Sequence, residues 1–251
     1  MSRLAVLTRP HPVSDGVEAF LRASGMAAVH VPVLDLAPAQ VFALDASVLQ
    51  ACDGVVFVSQ HACFFAQQQL EQYGLTWPKN AWLAGVGKAS GVAIQSAWPS
   101  ARVITPTDLD GIDSDGLWLA LERAGLIAAS KRVLVVRAQT GRDALLRRFE
   151  LAGLRADVWA CYRRAPAVIG ADDLALLARQ LDDGGLVFSI TSVEGLHSLV
   201  HQLLPSAAKF FGEPLVTLHP AIAAAAQALG FRRVFCVPPQ AVGVKILSLR
   251  D

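Results

Sequence analysis

Short, continuous apolar segments alternate with segments of helical period along this chain, and this alternation constrains its fold more than any other feature. Mainly apolar runs at residues 4–8, 54–58, 132–136 and 186–190 each precede a segment with apolar residues every three to four positions. A continuous apolar run is typical of a strand buried on both faces, as in parallel sheets covered by helices. The sequence therefore predicts an α/β protein with parallel sheets.

The alternation contains an internal repeat. Residues of the same type recur at an offset of 128 positions without a gap: Arg9 with Arg137, Asp15 with Asp143, Gly25 with Gly153, and Pro38 with Pro166. A gapless match over about thirty residues favours duplication over a chance likeness of two strand–helix–strand units. In each copy a short segment follows the second strand and ends near a proline, at residues 34–39 and 163–168. These two segments predict that the chain crosses twice between two domains that can move relative to each other.

Composition argues against several classes of protein and leaves a local basic cleft open. The 22 Lys and Arg residues balance 21 Asp and Glu residues, so the chain lacks the basic excess typical of nucleic-acid binding. The first apolar run is too short for a signal peptide, and no apolar stretch reaches the roughly 20 residues of a membrane span. The cysteines form no cluster, and we interpret them as reduced thiols of a cytoplasmic protein. They are Cys52, Cys63, Cys161 and Cys236.

Several cofactor motifs are only superficially present. The glycines from Gly85 to Gly91 have the spacing GxGxxxG after a very short predicted strand, and no acidic residue ends a following strand about 20 residues further on, as dinucleotide binding requires. His197 and His201 lack the intervening Glu of a zinc-binding HExxH helix. The acidic segment 108–115 is interpreted as a solvated turn with a helix cap at Ser114, with a weak cation site as the alternative. We therefore expect neither a cofactor nor a metal.

Polar residues follow the carboxyl ends of the predicted strands. In open α/β sheets this edge forms the ligand crevice, and helix N–H groups there suit anions such as carboxylates. Ser59 and Ser192 are individually better explained as helix caps, so the prediction of an anion site depends on the shared edge. The candidate substrate-binding residues at this edge are Thr8, Arg9, Ser59, His61, Gly87, Lys88, Ser90, Arg137, Thr191, Ser192 and His219.

In order and spacing, these motifs resemble those of uroporphyrinogen-III synthases over nearly the whole chain. Each motif alone is weak, and their order and duplication together are specific. The motifs are a strand followed by Thr8-Arg9-Pro10, Phe57-Val58-Ser59 followed by Ala62, Val86 to Ser90, Arg137 with Gly141-Arg142 and Leu145, Tyr162-Arg163-Arg164, Thr191-Ser192, and His219-Pro220 leading to Gly230-Phe231.

The resemblance implies a fold and a reaction. The fold is two flavodoxin-like α/β domains joined by a two-stranded linker at residues 34–39 and 163–168. One domain comprises residues 1–34 and 168–251, and the other comprises residues 39–163. The reaction converts hydroxymethylbilane into uroporphyrinogen III, with loss of water, inversion of the last pyrrole ring and closure of the macrocycle. It implies neither a cofactor nor a metal, because the enzyme orients a reactive substrate.

The resemblance also implies residue roles. Tyr162 is the catalytic candidate, because a phenol can donate a proton or hydrogen bond to the departing hydroxyl. Packing on the linker is the alternative role for Tyr162. The candidate cations for substrate carboxylates are Arg9, Lys88, Arg137 and Arg142, and a solvated surface charge is the alternative role for each.

The expected partner is this linear tetrapyrrole, bound by a monomer in transient contact with the upstream deaminase. Nucleic acid and membrane are not expected partners. Two alternative functions stay open from the sequence: a two-domain small-anion binding protein without catalysis, and a nucleotide-dependent oxidoreductase built on Gly85 to Gly91.

Overall fold

The computed structural model describes residues 2–11, 16–39, 45–107, 110–111, 114–141, 143–183, 185–204 and 207–251. The chain divides into two compact units. The first unit is Met1–Leu36 with Ala165–Asp251, and the second is Ala37–Arg164. The two points of division lie within the segments 34–39 and 163–168, which the sequence analysis treats as linkers.

Strands and helices alternate along the described residues. The strands are β1 (Leu4–Leu7), β2 (Ala28–His30), β3 (Leu34–Pro38), β4 (Gly54–Phe57), β5 (Trp82–Gly85), β6 (Val103–Ile104), β7 (Arg132–Ala138), β8 (Arg155–Pro166), β9 (Leu186–Ile190), β10 (Pro214–Thr217) and β11 (Arg233–Cys236). The helices are α1 (Val17–Ala23), α2 (Ala46–Gln50), α3 (Gln60–Tyr73), α4 (Lys88–Ala97), α5 (Ser114–Arg123), α6 (Ala144–Leu151), α7 (Ala171–Asp183), α8 (Val193–Leu203), α9 (Ala207–Phe210), α10 (Pro220–Leu229) and α11 (Val242–Leu247).

The first unit contains a parallel sheet of order β11-β10-β9-β1-β2. Consecutive side chains of a strand point to opposite faces. Leu4 and Val6 accordingly pack in a core that includes residues of α7, α8 and α10. Ala5 and Leu7 pack in a second core with residues of α1 and α11. Helices cover both faces, which explains why the strand is apolar at every position.

The second unit contains a sheet of order β3-β8-β7-β4-β5-β6, in which the strands from β8 to β6 are parallel. Val56 of β4 packs in a core with Leu117 of α5 and Phe149 of α6. Phe57 points to the other face, where its ring centroid lies 5.7 Å from that of Trp77 and 5.4 Å from that of Trp98. This sheet is also buried on both faces.

The predicted linkers are strands. Ala39 N donates to Cys161 O and Ala167 N donates to Val33 O, each at 3.1 Å. Val33 pairs with Ala167 and Ala39 pairs with Cys161, so the partner's residue number falls as the residue number rises. The β3 strand and the end of β8 therefore run antiparallel. The hydrogen-bonding partner of each segment is more than 100 residues away in the chain, and local sequence patterns do not reveal such pairing.

Numbered along the chain, the strands of the first sheet have the flavodoxin-like order 2-1-3-4-5, and the parallel strands of the second, counted from β4 to β8, have the order 3-2-1-4-5. Strands β1, β2, β9, β10 and β11 of the first unit correspond in that order to β7, β8, β4, β5 and β6 of the second. The predicted fold class, two α/β units with parallel sheets, is confirmed. The strands correspond in their positions within the sheets but not in their order along the chain, and the duplication stays a prediction.

Candidate functional site

In the second unit, Ser59 and Tyr162 meet at the carboxyl edge of the sheet. Ser59 follows β4 and caps α3, because its Oγ accepts a hydrogen bond from Ala62 N at 3.1 Å. Tyr162 lies on β8, 103 residues further along the chain, and its phenol oxygen is 3.3 Å from Ser59 Oγ. The cap predicted for Ser59 is therefore present, and the same hydroxyl also contacts the predicted catalytic residue.

Tyr162 is buried, and both its ring and its phenol oxygen contact neighbouring side chains. Its exposed fraction is 1%. The Phe65 ring stacks on it with 5.3 Å between centroids and 12° between planes, and the His61 ring centroid is 6.5 Å away. Arg164 Nη2 donates to the phenol oxygen at 3.3 Å, and the guanidinium carbon lies 5.8 Å from the ring centroid. Arg164 was part of the Tyr162-Arg163-Arg164 motif but was not predicted as a site residue, although residues two apart on a strand share a face.

A β-bulge explains the burial of Tyr162. Arg137 of β7 lies opposite Ala160, whereas the next residue, Ala138, lies opposite Tyr162. Cys161 is thus the extra residue on β8, and both Cys161 and Tyr162 are buried although they are consecutive.

The backbone around the bulge is anchored by hydrogen bonds. Cys161 O accepts from Gln69 Nε2 at 2.5 Å, and Tyr162 O accepts from Gln139 N at 2.8 Å. Gln69, on α3, is a supporting residue that the sequence analysis missed. Its amide reaches the strand immediately before Tyr162, so it helps to fix the backbone that carries the phenol.

The cations of this edge differ in their surroundings. Arg137, whose side chain is 16% exposed, forms an ion pair of 2.7 Å with Asp143 directly before α6. Lys88 is the first residue of α4 and is exposed. Arg142 lies outside the described residues, so its predicted role is not placed by the structure.

The glycine-rich segment after β5 serves the packing of α4. Gly87 occupies the N-cap position of α4, and Ser90 is buried. A Cβ added at Gly85 would lie 2.8 Å from Ser90 Cβ, and one added at Gly91 would lie 2.2 Å from Thr105 Cγ2. Gly85 and Gly91 therefore allow close helix–strand and helix–loop contact.

In the first unit, the predicted residues follow three neighbouring strands, β1, β9 and β10. Thr8 Oγ1 is buried and donates to Ser189 O at 2.8 Å. Ser192 Oγ accepts from Gly195 N at 3.0 Å and caps α8 as expected, while His219 Nδ1 accepts from Ala221 N at 3.1 Å and caps α10. Thr191 is half-buried between β9 and α8.

Arg9 lies beside two histidines in the first unit. Its carbonyl oxygen is 2.5 Å from His30 Nε2, and the His30 ring packs edge-on against His11 with 4.3 Å between centroids. His30 is half-buried and orders the backbone at the end of β1. Neither His11 nor His30 was predicted from the sequence to lie at this edge.

The described part of the acidic segment is paired with arginine. Asp110 accepts hydrogen bonds from Arg123 and Thr107, which lower the pKa of its carboxyl group to about 2. Asp115 pairs with Arg148 at 2.5 Å. Asp108 and Asp113 lie outside the described residues. Nowhere in the described ranges are three or more His, Cys, Asp or Glu side chains grouped so that they could hold a metal ion.

The family model described as "Uroporphyrinogen-III synthase HemD" matches residues 15–242. The chain belongs to this family. The resemblance drawn from the sequence is thereby confirmed, and membership of the uroporphyrinogen-III synthase family gives no support to a non-catalytic binding protein.

Individual relatives agree with the family assignment. The chain is 28% identical over 162 residues to the uroporphyrinogen-III synthase of Escherichia coli K12. The aligned region covers 63% of this chain and 64% of that enzyme. It is 28% identical over 162 residues to the Proteus mirabilis enzyme, of which the match covers 79%. The matched region thus spans slightly less than two thirds of the Escherichia coli relative.

Solved structures of family members share the fold. The uroporphyrinogen-III synthetase of Helicobacter pylori superposes with a TM-score of 0.64 at 14% identity, covering 99% of this chain and 100% of that one. A mutant uroporphyrinogen III synthase of Thermus thermophilus superposes with a TM-score of 0.56 at 12% identity, covering 98% of this chain and 96% of that one. None of the helices in the described ranges is long and apolar enough to cross a membrane.

Proposed function

We propose that this chain is a uroporphyrinogen-III synthase. It converts hydroxymethylbilane into uroporphyrinogen III by loss of water, inversion of the last pyrrole ring and closure of the macrocycle. The observation that carries the proposal is the family match over residues 15–242, which includes most of both units. The carboxyl edges described above support it, because they supply donors suited to a substrate rich in carboxylates.

The second unit provides groups for binding and for chemistry. The α3 and α4 N-termini lie after neighbouring strands, and their N–H groups favour anionic oxygen. Lys88 adds a positive charge that suits the acetate and propionate groups of the bilane. The hydroxyl pair of Tyr162 and Ser59 supplies the hydrogen bond that assists departure of the terminal hydroxyl as water.

The rest of the catalysis is orientation. The bilane closes unaided to the type I isomer, so the protein directs a reaction that is already favourable. Fixed donors hold the substrate in the conformation that leads to ring inversion, which avoids the entropic cost of ordering it in the transition state. Preorganised dipoles stabilise the cation that forms when the hydroxyl leaves.

The proposal also covers the reaction class of the enzyme, its oligomeric state and its cellular compartment. We assign it as a cyclising hydro-lyase that works without added metal or nucleotide, as a monomer in the cytoplasm. The four free cysteines support a reducing compartment. A transient contact with the upstream deaminase would protect the reactive bilane from unaided closure.

The test is a coupled assay. Porphobilinogen is fed through a deaminase with and without this protein, and the porphyrin isomers are separated after oxidation. We expect the product to change from type I to type III, and to do so in the presence of a chelator. Heat-denatured protein is the matched control. Unchanged type I product at stoichiometric protein would contradict the proposed activity, and loss of type III product with chelator would contradict metal independence.

A further inference from the structure

The phenol oxygen of Tyr162 lies between two polar groups. Arg164 Nη2 is 3.3 Å away on one side and Ser59 Oγ is 3.3 Å away on the other. A guanidinium group only donates hydrogen bonds, so the phenol oxygen is the acceptor in its contact with Arg164. The phenol proton therefore needs a different acceptor.

Ser59 is that acceptor. In the described part of the chain, Arg164 and Ser59 are the groups within hydrogen-bond distance of the phenol oxygen. If Ser59 donated instead, the phenol proton would have no acceptor there, at a residue whose exposed fraction is 1%. A buried hydroxyl proton without a partner is costly, and buried polar groups are nearly always paired. Tyr162 therefore donates to Ser59.

Counting the donors and acceptors around Ser59 in the described part of the chain shows that its hydroxyl proton is available for a further hydrogen bond. A serine hydroxyl has one proton to donate and two lone pairs that accept. Ser59 Oγ accepts from Ala62 N at 3.1 Å and from Tyr162 at 3.3 Å, which occupies both lone pairs. Ser59 is half-buried and stands at the N-terminus of α3, a 14-residue helix whose free N–H groups favour an anionic oxygen.

We infer that Arg164, Tyr162 and Ser59 form a directed hydrogen-bond chain that ends at the substrate. Arg164 donates to Tyr162, Tyr162 donates to Ser59, and Ser59 presents its proton to an acceptor oxygen of the tetrapyrrole. Hydrogen bonds in series polarise one another, so each donor strengthens the next. Contacts of 3.3 Å are long, and hydrogen bonds of catalytic groups commonly shorten when the substrate binds.

This inference rests on the proposed function and changes the roles within it. Ser59 is the group that touches the substrate, and Tyr162 acts through Ser59. Arg164 is a positioning residue, because its donated hydrogen bond directs the phenol proton toward Ser59.

The direction of the chain can be measured without substrate. The sequence has two tyrosines, so Tyr73→Phe leaves Tyr162 as the single tyrosine. In Raman spectra the intensity ratio of the tyrosine Fermi doublet rises when the phenol oxygen accepts and falls when it donates. In the Tyr73→Phe background we expect Arg164→Met to lower this ratio and Ser59→Ala to raise it. Arg163→Met, which changes the exposed neighbour of Arg164, should leave it unchanged.

Two spectroscopic results would overturn the chain. An unchanged doublet in Arg164→Met would mean that Arg164 does not donate to Tyr162. A fall of the ratio in Ser59→Ala, in the same direction as in Arg164→Met, would mean that Ser59 donates to Tyr162 and that the chain runs the other way. Because Ser59→Ala leaves Arg164 in place, the second result is informative even if Arg164→Met does not fold.

Kinetics provide the second measurement. We expect Arg164→Met to lower kcat by about tenfold with little change in KM, because it weakens a hydrogen bond in the reacting complex. Arg164→Lys should recover part of the loss, since an ammonium group also donates. Equal losses in the two variants would contradict a role through the donated bond. A parent protein that forms no type III isomer would contradict the proposed function and leave the Raman result standing.

Discussion

Tyr162 contributes one hydroxyl at a buried position, so Tyr162→Phe removes that hydroxyl and preserves the stacked ring. We expect this variant to lower kcat/KM by about ten- to a hundredfold, because Ser59 loses the hydrogen bond donated by the phenol, and assistance by a positioned acid typically contributes on the order of a hundredfold or more. Type III product should still form, since substrate orientation persists. Steady-state kinetics with isomer analysis tests this, with Tyr73→Phe as the control at an exposed tyrosine. Kinetics equal to those of the parent would assign Tyr162 to packing alone.

The cysteines differ in reactivity because they differ in burial. Burial raises the pKa of Cys52 to about 11 and that of Cys63 to about 12, and it also raises the pKa of Cys161. A raised thiol pKa leaves less of the reactive thiolate at neutral pH. Cys236 is exposed.

We expect an aromatic disulfide reagent near neutral pH to modify one thiol per folded chain and all four after unfolding in guanidinium. Cys236→Ser should remove the fast reaction with the folded protein. A second fast thiol in that variant would show that one of the three buried positions opens readily.

At the scale of elements, Gly54 is the residue that lets β4 lie against the side chain of Trp82 on β5. A Cβ added at Gly54 would lie 2.1 Å from the Trp82 ring, so either the indole or the strand must shift. We expect Gly54→Ala to lower the free energy of unfolding by about 1–3 kcal/mol, the usual cost of overpacking a core. Urea unfolding followed by tryptophan fluorescence measures this.

Gly141→Ala is the matched control in the same unit. The added Cβ would lie 3.6 Å from the Arg137 guanidinium, which is an ordinary contact distance. The free energy of unfolding of this variant should stay within about 0.5 kcal/mol of the parent's. Equal destabilisation by the two substitutions would mean that loss of glycine, and not the contact with Trp82, sets the cost.

At the scale of the whole molecule, the two units have separate cores and unequal aromatic content. All five tryptophans of the chain lie in the second unit, so tryptophan fluorescence reports the second unit, whereas far-ultraviolet circular dichroism reports both. These residues are Trp77, Trp82, Trp98, Trp118 and Trp159. The two probes can therefore follow the units separately during unfolding.

We expect Ser192→Ala to destabilise the first unit by about 1 kcal/mol through loss of the α8 cap. The circular dichroism midpoint in urea should fall, and the fluorescence midpoint should stay unchanged, because units with their own cores can unfold separately. Ser192→Asp, which keeps a capping oxygen, is the control. Equal shifts of both midpoints would show that the two units unfold as one cooperative system.

Local patterns were sufficient for most strands and several caps. Residues 4–7, 54–57 and 186–190 are strands because each is a short, mainly apolar run bounded by polar or turn residues, with Ser189 the one polar side chain among them. Ser59 caps α3 because serine before a helix satisfies a free N–H group. By contrast, nothing local indicates that residues 34–38 pair with β8, since that pairing depends on a distant strand.

The sequence by itself determined the α/β class, the parallel sheets and the edges where the polar residues gather, because each depends on residues near one another in the chain. It determined the family through the order of short motifs along the whole chain. Only the tertiary structure decided how Tyr162 is used. Its burial follows from a bulge in the pairing of β7 with β8. Its oxygen meets Ser59 because β4 and β8 flank β7 in one sheet, which joins residues 103 positions apart. Hydrogen-bond direction depends on every donor and acceptor around an atom, and folding brings those together from distant parts of the chain.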